Sequence, residues 1–200
     1  MNVQPAGNYY DKYHTRNPIA RWLVSGFLRS FEELAKLQPE RQAVEVGCGE
    51  GELSMRLARQ GFQVAGYDIA AEAIAEARSR IGRAQLPISL GVAALGDLRG
   101  QVRAPLVICC EVLEHLDDPD SGLEDLAEIC ESWLLVSVPR EPLWRVLNLC
   151  RGRYLSALGN TPGHVNHWST TSFLRFLDRR FDVHAVRSPL PWTMALCKRR

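Results

Sequence analysis

Residues 43–51 read Ala43-Val44-Glu45-Val46-Gly47-Cys48-Gly49-Glu50-Gly51, a short apolar strand with one carboxylate, then a glycine at every second position. A helix is expected over 51–59. A strand that ends in glycines and opens a helix turns backbone N–H groups and the positive end of a helix dipole toward a ligand. In dinucleotide enzymes that ligand is a pyrophosphate, and the glycines fall as G-x-G-x-x-G. Here the third position of that pattern is Glu52, and the glycines stand at Gly47, Gly49 and Gly51 instead. Glu45 in the strand end would also repel a pyrophosphate.

Working outward, apolar residues at helical spacing (Ile19, Trp22, Leu23, Phe27, Leu28, Phe31, Leu34) predict a helix over 18–37, stopped by Pro39. Downstream, strand and helix alternate. Strands are expected at 62–68, 88–92, 106–112 and 133–139, with helices at 70–81 and 119–130 between them. The strands are near-continuous apolar runs, as in a parallel sheet covered on both faces. After Pro139 the pattern changes to a helix at 141–150, then the polar stretch RGRYLSALGNTPGHVNHWS with its glycine and proline punctuation. A helix at 171–179 and two strands, FDVHAVR and TMALCKR, close the chain; the SPLPW between them predicts an antiparallel hairpin at the sheet edge. The expected fold is therefore one α/β domain over 1–200: a doubly wound, mostly parallel seven-stranded sheet with an antiparallel C-terminal hairpin.

Composition sets bounds on function. The 200 residues suffice for one core, and a formal net charge of +1 predicts no sequence-independent grip on nucleic acid. No apolar run approaches the ~20 residues of a membrane span, and the opening MNVQPAGNYYDKYH lacks the pattern of a signal peptide. The six cysteines (Cys48, Cys109, Cys110, Cys130, Cys150, Cys197) have neither metal-ligand spacing nor a disulfide framework, and read as reduced thiols of a cytoplasmic protein. Strand alternation predicts that Cys109 and Cys110 point to opposite faces.

A ligand carrying a small carboxylate, an ammonium and a sulfonium suits the glycine turn beside Glu45. Four blocks in order, EVGCGEG, GYDIAAEAIAEAR, LVICCEVLEHL and LLVSVP, make the chain resemble the class I S-adenosylmethionine-dependent methyltransferases over nearly its whole length. The resemblance implies a Rossmann-like methyltransferase fold and methyl transfer from S-adenosylmethionine to a small-molecule acceptor, foremost a hydroxyl oxygen. It implies a cofactor site of Glu45, Gly47, Cys48, Gly49, Gly51, Asp68, Ile69 and Cys110. Glu45, Gly47 and Gly49 would lie by the methionine carboxylate and ammonium, Asp68 would take the ribose hydroxyls, and Ile69 would pack on adenine. Asp68 has independent support, since a carboxylate at the end of the second strand lies beside the first loop at the switch point of the sheet. The competing role for Asp68 is a helix cap. Many relatives carry Gly-Asp after the third strand; here Gly91-Val92 stands at that place, leaving adenine to backbone groups or Asp97.

Glu111, Glu114 and His115 form E-V-L-E-H after the fourth strand, on the edge where the reactive methyl belongs. Glu111 and His115 are the expected catalytic pair. Methyl transfer is an in-line displacement, so the protein must align the nucleophile and, for a hydroxyl, help remove its proton. The same E-x-x-E-H resembles the metal-binding set of ubiquinone-pathway and small-RNA O-methyltransferases. That resemblance implies Glu111, Glu114, His115 and a later histidine, His164 or else His167, as ligands of a divalent ion such as Mg²⁺. Against this, E-x-L-E-H also occurs in metal-free methyltransferases, where it shapes the turn.

Tyr9, Tyr10, Tyr13 and Arg16 precede the first long helix, so 1–38 is expected to act as an N-terminal lid. Segment 140–169, with Arg140, Trp144, Arg145, Arg151, Arg153 and Tyr154, is the expected substrate-side insertion. Its helix PLWRVLNLC is expected to pack on the core rather than touch a membrane. The other readings are an NAD-dependent oxidoreductase, disfavoured by the glycine spacing and Glu45, and a non-catalytic binding module that keeps the fold.

Overall fold

The computed structural model describes Tyr13 and residues 15–200. Its strands are β1 (Gln42–Val46), β2 (Gln63–Asp68), β3 (Ile88–Val92), β4 (Ala104–Cys110), β5 (Cys130–Pro139), β6 (Phe181–Arg187) and β7 (Trp192–Arg199). Its α-helices are α1 (Pro18–Lys36), α2 (Glu52–Arg59), α3 (Ala71–Ala84), α4 (Pro119–Ile129), α5 (Leu143–Cys150) and α6 (Thr170–Leu177). The strands form one seven-stranded sheet in the order β3-β2-β1-β4-β5-β7-β6. β1 to β5 pair in parallel, and β7 runs antiparallel to both β5 and β6. The order reverses between β1 and β4, which opens a crevice at their carboxyl ends where α/β sheets bind ligands.

Period-two burial separates two cores across the sheet. Val44, Val46, Val107, Cys109, Leu134 and Val136 lie on one side with Leu123 and Leu126 of α4 and Phe173 and Leu177 of α6. Ala43, Leu106, Ile108, Cys110 and Leu135 lie on the other with Phe27 and Phe31 of α1 and Leu53 and Leu57 of α2. Cys109 and Cys110 thus take opposite faces, as alternation predicts. Each fully buried Phe or Leu contributes roughly 1.5–3 kcal/mol.

Three helix starts carry side-chain caps. Asn17 accepts from the amides of Ile19 and Ala20, Asp118 from Asp120 and Ser121, and Ser169 from Ser172. Pro18 and Pro119 follow the first two caps, where the missing N–H costs nothing.

The antiparallel C-terminal hairpin stands at the sheet edge as expected, with β7 inside and β6 outermost. Two differences from the sequence expectations bear on function. β4 ends at Cys110, so Glu111 and Val112 leave the strand; Glu111 has a φ of 59°, which reverses the chain before a 3-10 turn at Leu113–His115. α1 buries Val24, Phe27, Phe31, Leu34 and Ala35, so it is part of the sheet's cover. Of the residues expected to form a lid, Arg16 is exposed, and Tyr9 and Tyr10 lie outside the described residues.

Candidate active site

The glycine turn is held in a conformation that the sequence alone makes possible. Gly47, Gly49 and Gly51 have φ of 71°, 51° and 80°, in the left-handed region that side chains disfavour. A Cβ on Gly47 would stand 2.3 Å from Val112 Cγ2, so the residue after Glu111 packs directly on the turn. The amides of Gly47 and Cys48 both donate to the Tyr67 carbonyl, at 2.8 and 3.0 Å, which pins the turn to β2. Cys48 is buried and Cys110 lies in the core on the α1 side, so toward a ligand both have only main-chain groups to present.

Asp68 closes this crevice from the β2 side. Its Oδ2 accepts the Gly49 amide at 2.7 Å and its Oδ1 the Ala70 amide at 2.8 Å. A carboxylate has about four acceptor sites, so two bonds leave capacity for a diol. The cap and the ligand role are therefore compatible in one side chain. Glu45 is 3% exposed and accepts the Ser54 hydroxyl of α2. Burial, then Glu45 and Asp68, push the Cys48 thiol up; burial, Cys110, Glu114 and Glu45 do the same to Cys109. Glu45 and Asp68 thus bring two carboxyl groups to the glycine turn, one buried beneath α2 and one at the end of β2.

Ile69 is exposed, as a residue reserved for an adenine face would be. Val92 is exposed as well, and the residues at the ends of β2 and β3 are register partners, Asp68 with Val92. Sequence reasoning passed over Val92; its signal is an apolar residue where relatives place a carboxylate. Asp97 instead accepts the Ala94 amide within its own turn.

On the other side of the crevice, Glu114, His115 and His164 each bring a ligand-capable atom within 4.8 Å of the others. Among the described residues, Glu111 does not join this group and neither does His167, whose Nδ1 lies 3.6 Å from Glu141 Oε1. Glu111 stands at the positive-φ bend that ends β4, and Glu114 in the 3-10 turn that follows it. His115 Nδ1 lies 2.9 Å from the Gly163 carbonyl, which places the ring proton on Nδ1 and directs Nε2 away with its lone pair.

His164 is not on a loose loop. It is buried, its ring meets His115 edge-on with centroids 4.9 Å apart, and Trp144 packs at 5.7 Å. The amides of Val165 and Asn166 donate to the Glu114 carbonyl at 2.9 and 3.1 Å, and Asn166 Nδ2 donates to the carbonyls of Leu113 and Leu116. Asn148, 1% exposed, donates to Gly159 O at 2.8 Å and Thr161 Oγ1 at 3.2 Å; Trp144 Nε1 also donates to Thr161 Oγ1. The Val165 and Asn166 bonds latch the insertion onto the E-x-x-E-H turn, while those of Asn148 and Trp144 tie the insertion to itself; neither set carries a sequence motif.

A family model described as "Methyltransferase domain" matches residues 19–183. A ubiquinone biosynthesis O-methyltransferase of Xylella fastidiosa (strain 9a5c) is 36% identical over 90 residues, covering 44% of this chain and 37% of that protein. Its counterpart from Xanthomonas axonopodis pv. citri (strain 306) is 28% identical over 161 residues, covering 78% and 63%. The chain thus spans less than two thirds of these relatives. Among solved structures, magnesium protoporphyrin IX methyltransferase (ChlM) from Synechocystis PCC 6803 with bound SAH superposes with a TM-score of 0.73 at 20% identity, covering 94% of this chain and 91% of that one.

Proposed function

Since the chain belongs to this methyltransferase-domain family, we propose that it binds S-adenosylmethionine at the Gly47–Gly51 turn and transfers the methyl group to a hydroxyl oxygen of a small-molecule acceptor. The observation that carries the reading is the Gly49–Asp68 hydrogen bond, which joins the glycine turn to a carboxylate at the switch point, above the buried Glu45. Exposed Ile69 and Val92 offer a seat for an adenine. Bound S-adenosylmethionine supplies an electrophilic methyl on a positively charged sulfur. The Xylella and Xanthomonas relatives, named as O-methyltransferases, support oxygen as the methylated atom.

The residues of the chain have three tasks. The turn amides and Asp68 hold the cofactor, the latched segment 140–169 borders the acceptor, and His115 Nε2 receives the acceptor's proton. Glu111, held at positive φ beside Val112, would orient the acceptor. General-base assistance of this kind is worth about 10²–10⁴ in rate. The test is calorimetry with S-adenosylhomocysteine and with NAD, followed by transfer of labelled methyl to phenolic acceptors. Binding of NAD in place of S-adenosylhomocysteine would overturn the reading; binding without turnover of any acceptor would favour a non-catalytic module.

A second reading rests on the convergence of Glu114, His115 and His164. These side chains fit a divalent ion, which would supply Lewis acidity toward an acceptor hydroxyl. With Glu111 outside the group, the donors are one carboxylate and two imidazoles. That set suits Zn²⁺, Fe²⁺ or Mn²⁺ rather than the Mg²⁺ expected from an oxygen-rich site.

A further inference from the structure

The turn that carries Glu114 and His115 has little of its own to hold its shape. Its 3-10 stretch, Leu113–His115, is three residues long. The amide of His115 donates to the Val112 carbonyl at 3.0 Å, and that of Leu116 to the Leu113 carbonyl at 3.3 Å. Hydrogen bonds of this i→i+3 kind are poorly aligned. Glu111 enters the turn at positive φ, and Leu116 leaves it in an extended conformation with a ψ of 133°. The shape is set from outside, by residues 163–166, and Asn166 makes three bonds to the turn. Its amide reaches the Glu114 carbonyl at 3.1 Å, and its Nδ2 reaches the carbonyls of Leu113 and Leu116 at 3.2 and 2.6 Å. Carbonyl oxygens only accept, so the NH2 must face both, and each of its two hydrogens is used. The two carbonyls bracket Glu114 and His115.

We propose that Asn166 is a positioning residue, which holds His115 in the tautomer with its proton on Nδ1 and Nε2 as the accepting nitrogen. A neutral imidazole carries one ring proton, and a ring without a partner distributes it over both nitrogens. The Gly163 carbonyl can only accept, so its 2.9 Å contact with His115 Nδ1 draws the proton to that nitrogen. Nε2 then keeps the lone pair that a general base needs; in the other tautomer it carries a hydrogen and has none to offer. The contact joins residues 48 apart in sequence, so it lasts only while the turn and segment 163–166 stay in place against each other. Asn166, three residues beyond Gly163, fastens them. Without its side chain the Leu116 carbonyl loses this bond, the turn can shift, and the ring loses its orienting acceptor. The proposal rests on the reading of His115 as the base, but the tautomer can be observed without any turnover.

The test is long-range proton–nitrogen NMR of the full chain labelled with nitrogen-15 in its histidines, at about pH 8, where imidazole is ordinarily neutral. The signals of His115 are those lost in His115→Gln. In the wild type they should show the proton on Nδ1. In Asn166→Ala they should move toward a mixture of the two tautomers, while the affinity for S-adenosylhomocysteine stays within about twofold. With catechol as the methyl acceptor, kcat should fall about tenfold in Asn166→Ala with KM little changed. Asn166→Asp has nearly the same shape but turns an oxygen toward two carbonyl oxygens, and should lose about a hundredfold. A thermal melt establishes that each variant is folded; if Asn166→Asp is not, Asn166→Ala carries the comparison, and the wild-type spectrum needs no variant. A wild-type His115 with its proton on Nε2 would overturn the proposal, as would an unchanged tautomer in Asn166→Ala. If the tautomer relaxes as expected but His115→Gln turns over at the wild-type rate, the orienting role of Asn166 stands and the reading of His115 as the base fails.

Discussion

The Gly49 amide donates to Asp68 Oδ2 at 2.7 Å, across 19 residues of sequence. Two loops from neighbouring strands are thereby joined at the crevice. The other oxygen of Asp68 holds the Ala70 amide, so one side chain sets both the glycine turn and the start of α3. A ligand that bonds Asp68 meets a carboxylate already oriented, and loses less in ordering it.

Replacing Asp68 should therefore cost both affinity and stability. Asp68→Ala is expected to weaken S-adenosylhomocysteine by about 1–3 kcal/mol, the cost of leaving hydroxyls and amides without their charged partner. Asp68→Asn should be no milder, since an Asn offers one acceptor oxygen and turns an NH2 toward the second amide. Calorimetry with the 2′-deoxy analogue checks the contact. Wild type should discriminate against it and Asp68→Ala should not; equal discrimination would leave Asp68 as a cap alone.

At Gly47 two separate costs combine. The φ of 71° disfavours any Cβ, and that Cβ would stand 2.3 Å from Val112 Cγ2. Gly47→Ala should lower stability by about 3 kcal/mol and abolish cofactor binding. Val112→Ala removes the clash but not the backbone strain. In urea titrations Val112→Ala should thus destabilise the Gly47→Ala background less than it does the wild type. Simple additivity would show that the close approach has no energetic weight.

The fold was legible where burial is two-sided. β1, β4 and β5 read as apolar runs because both of their faces are buried, whereas β2 and β3, toward the edge, are only partly covered. The hairpin at the sheet edge was legible too, and burial tells its strands apart: Trp192 to Cys197 of β7 are six consecutive buried residues, whereas Asp182 and His184 alternate outward in β6. The glycine turn and Asp68 were legible because only glycine tolerates three left-handed φ values in five residues. The bend at Glu111, which stands outside the histidine cluster, was not, because a non-glycine residue at positive φ leaves no mark in sequence. Nor was the Asn148 latch, whose partners Gly159 and Thr161 lie 11 and 13 residues on in a segment without periodicity.

Buried thiols predict a loss of stability in alkali. Burial pushes Cys130 and Cys197 up to about 12, and Cys48 and Cys109 are also raised, burial being the first cause in each. Above pH 9 the unfolded chain releases these protons while the native chain retains them, so the unfolded state binds fewer and stability falls as pH rises. Each such thiol removes about 1.4 kcal/mol per pH unit between about 9 and its folded value. Thermal midpoints from pH 8 to 11 should fall less steeply in Cys130→Ala than in wild type, whatever their difference at neutral pH. Parallel curves would mean that Cys130 ionises in the native state.

The histidine cluster yields the prediction that separates the two catalytic readings. With His115 Nδ1 engaged by the Gly163 carbonyl, Nε2 is the nitrogen left to take a proton, and no ion is needed for that. Turnover should therefore survive dialysis against a chelator, while His115→Ala should lose about 10²–10⁴ in kcat with the affinity for S-adenosylhomocysteine unchanged. His164→Ala should act more weakly, because its ring packs edge-on against His115 and follows Gly163, whose carbonyl orients the His115 ring. A loss of about tenfold in kcat is expected for imperfect positioning of the base. If chelation abolishes turnover and Zn²⁺ or Mn²⁺ restores it, both histidines are ligands. His164→Ala should then be as damaging as His115→Ala, since removing either imidazole from a three-donor site breaks it. The ratio of the two histidine variants, read together with the chelation result, decides between a positioned base and a metal centre.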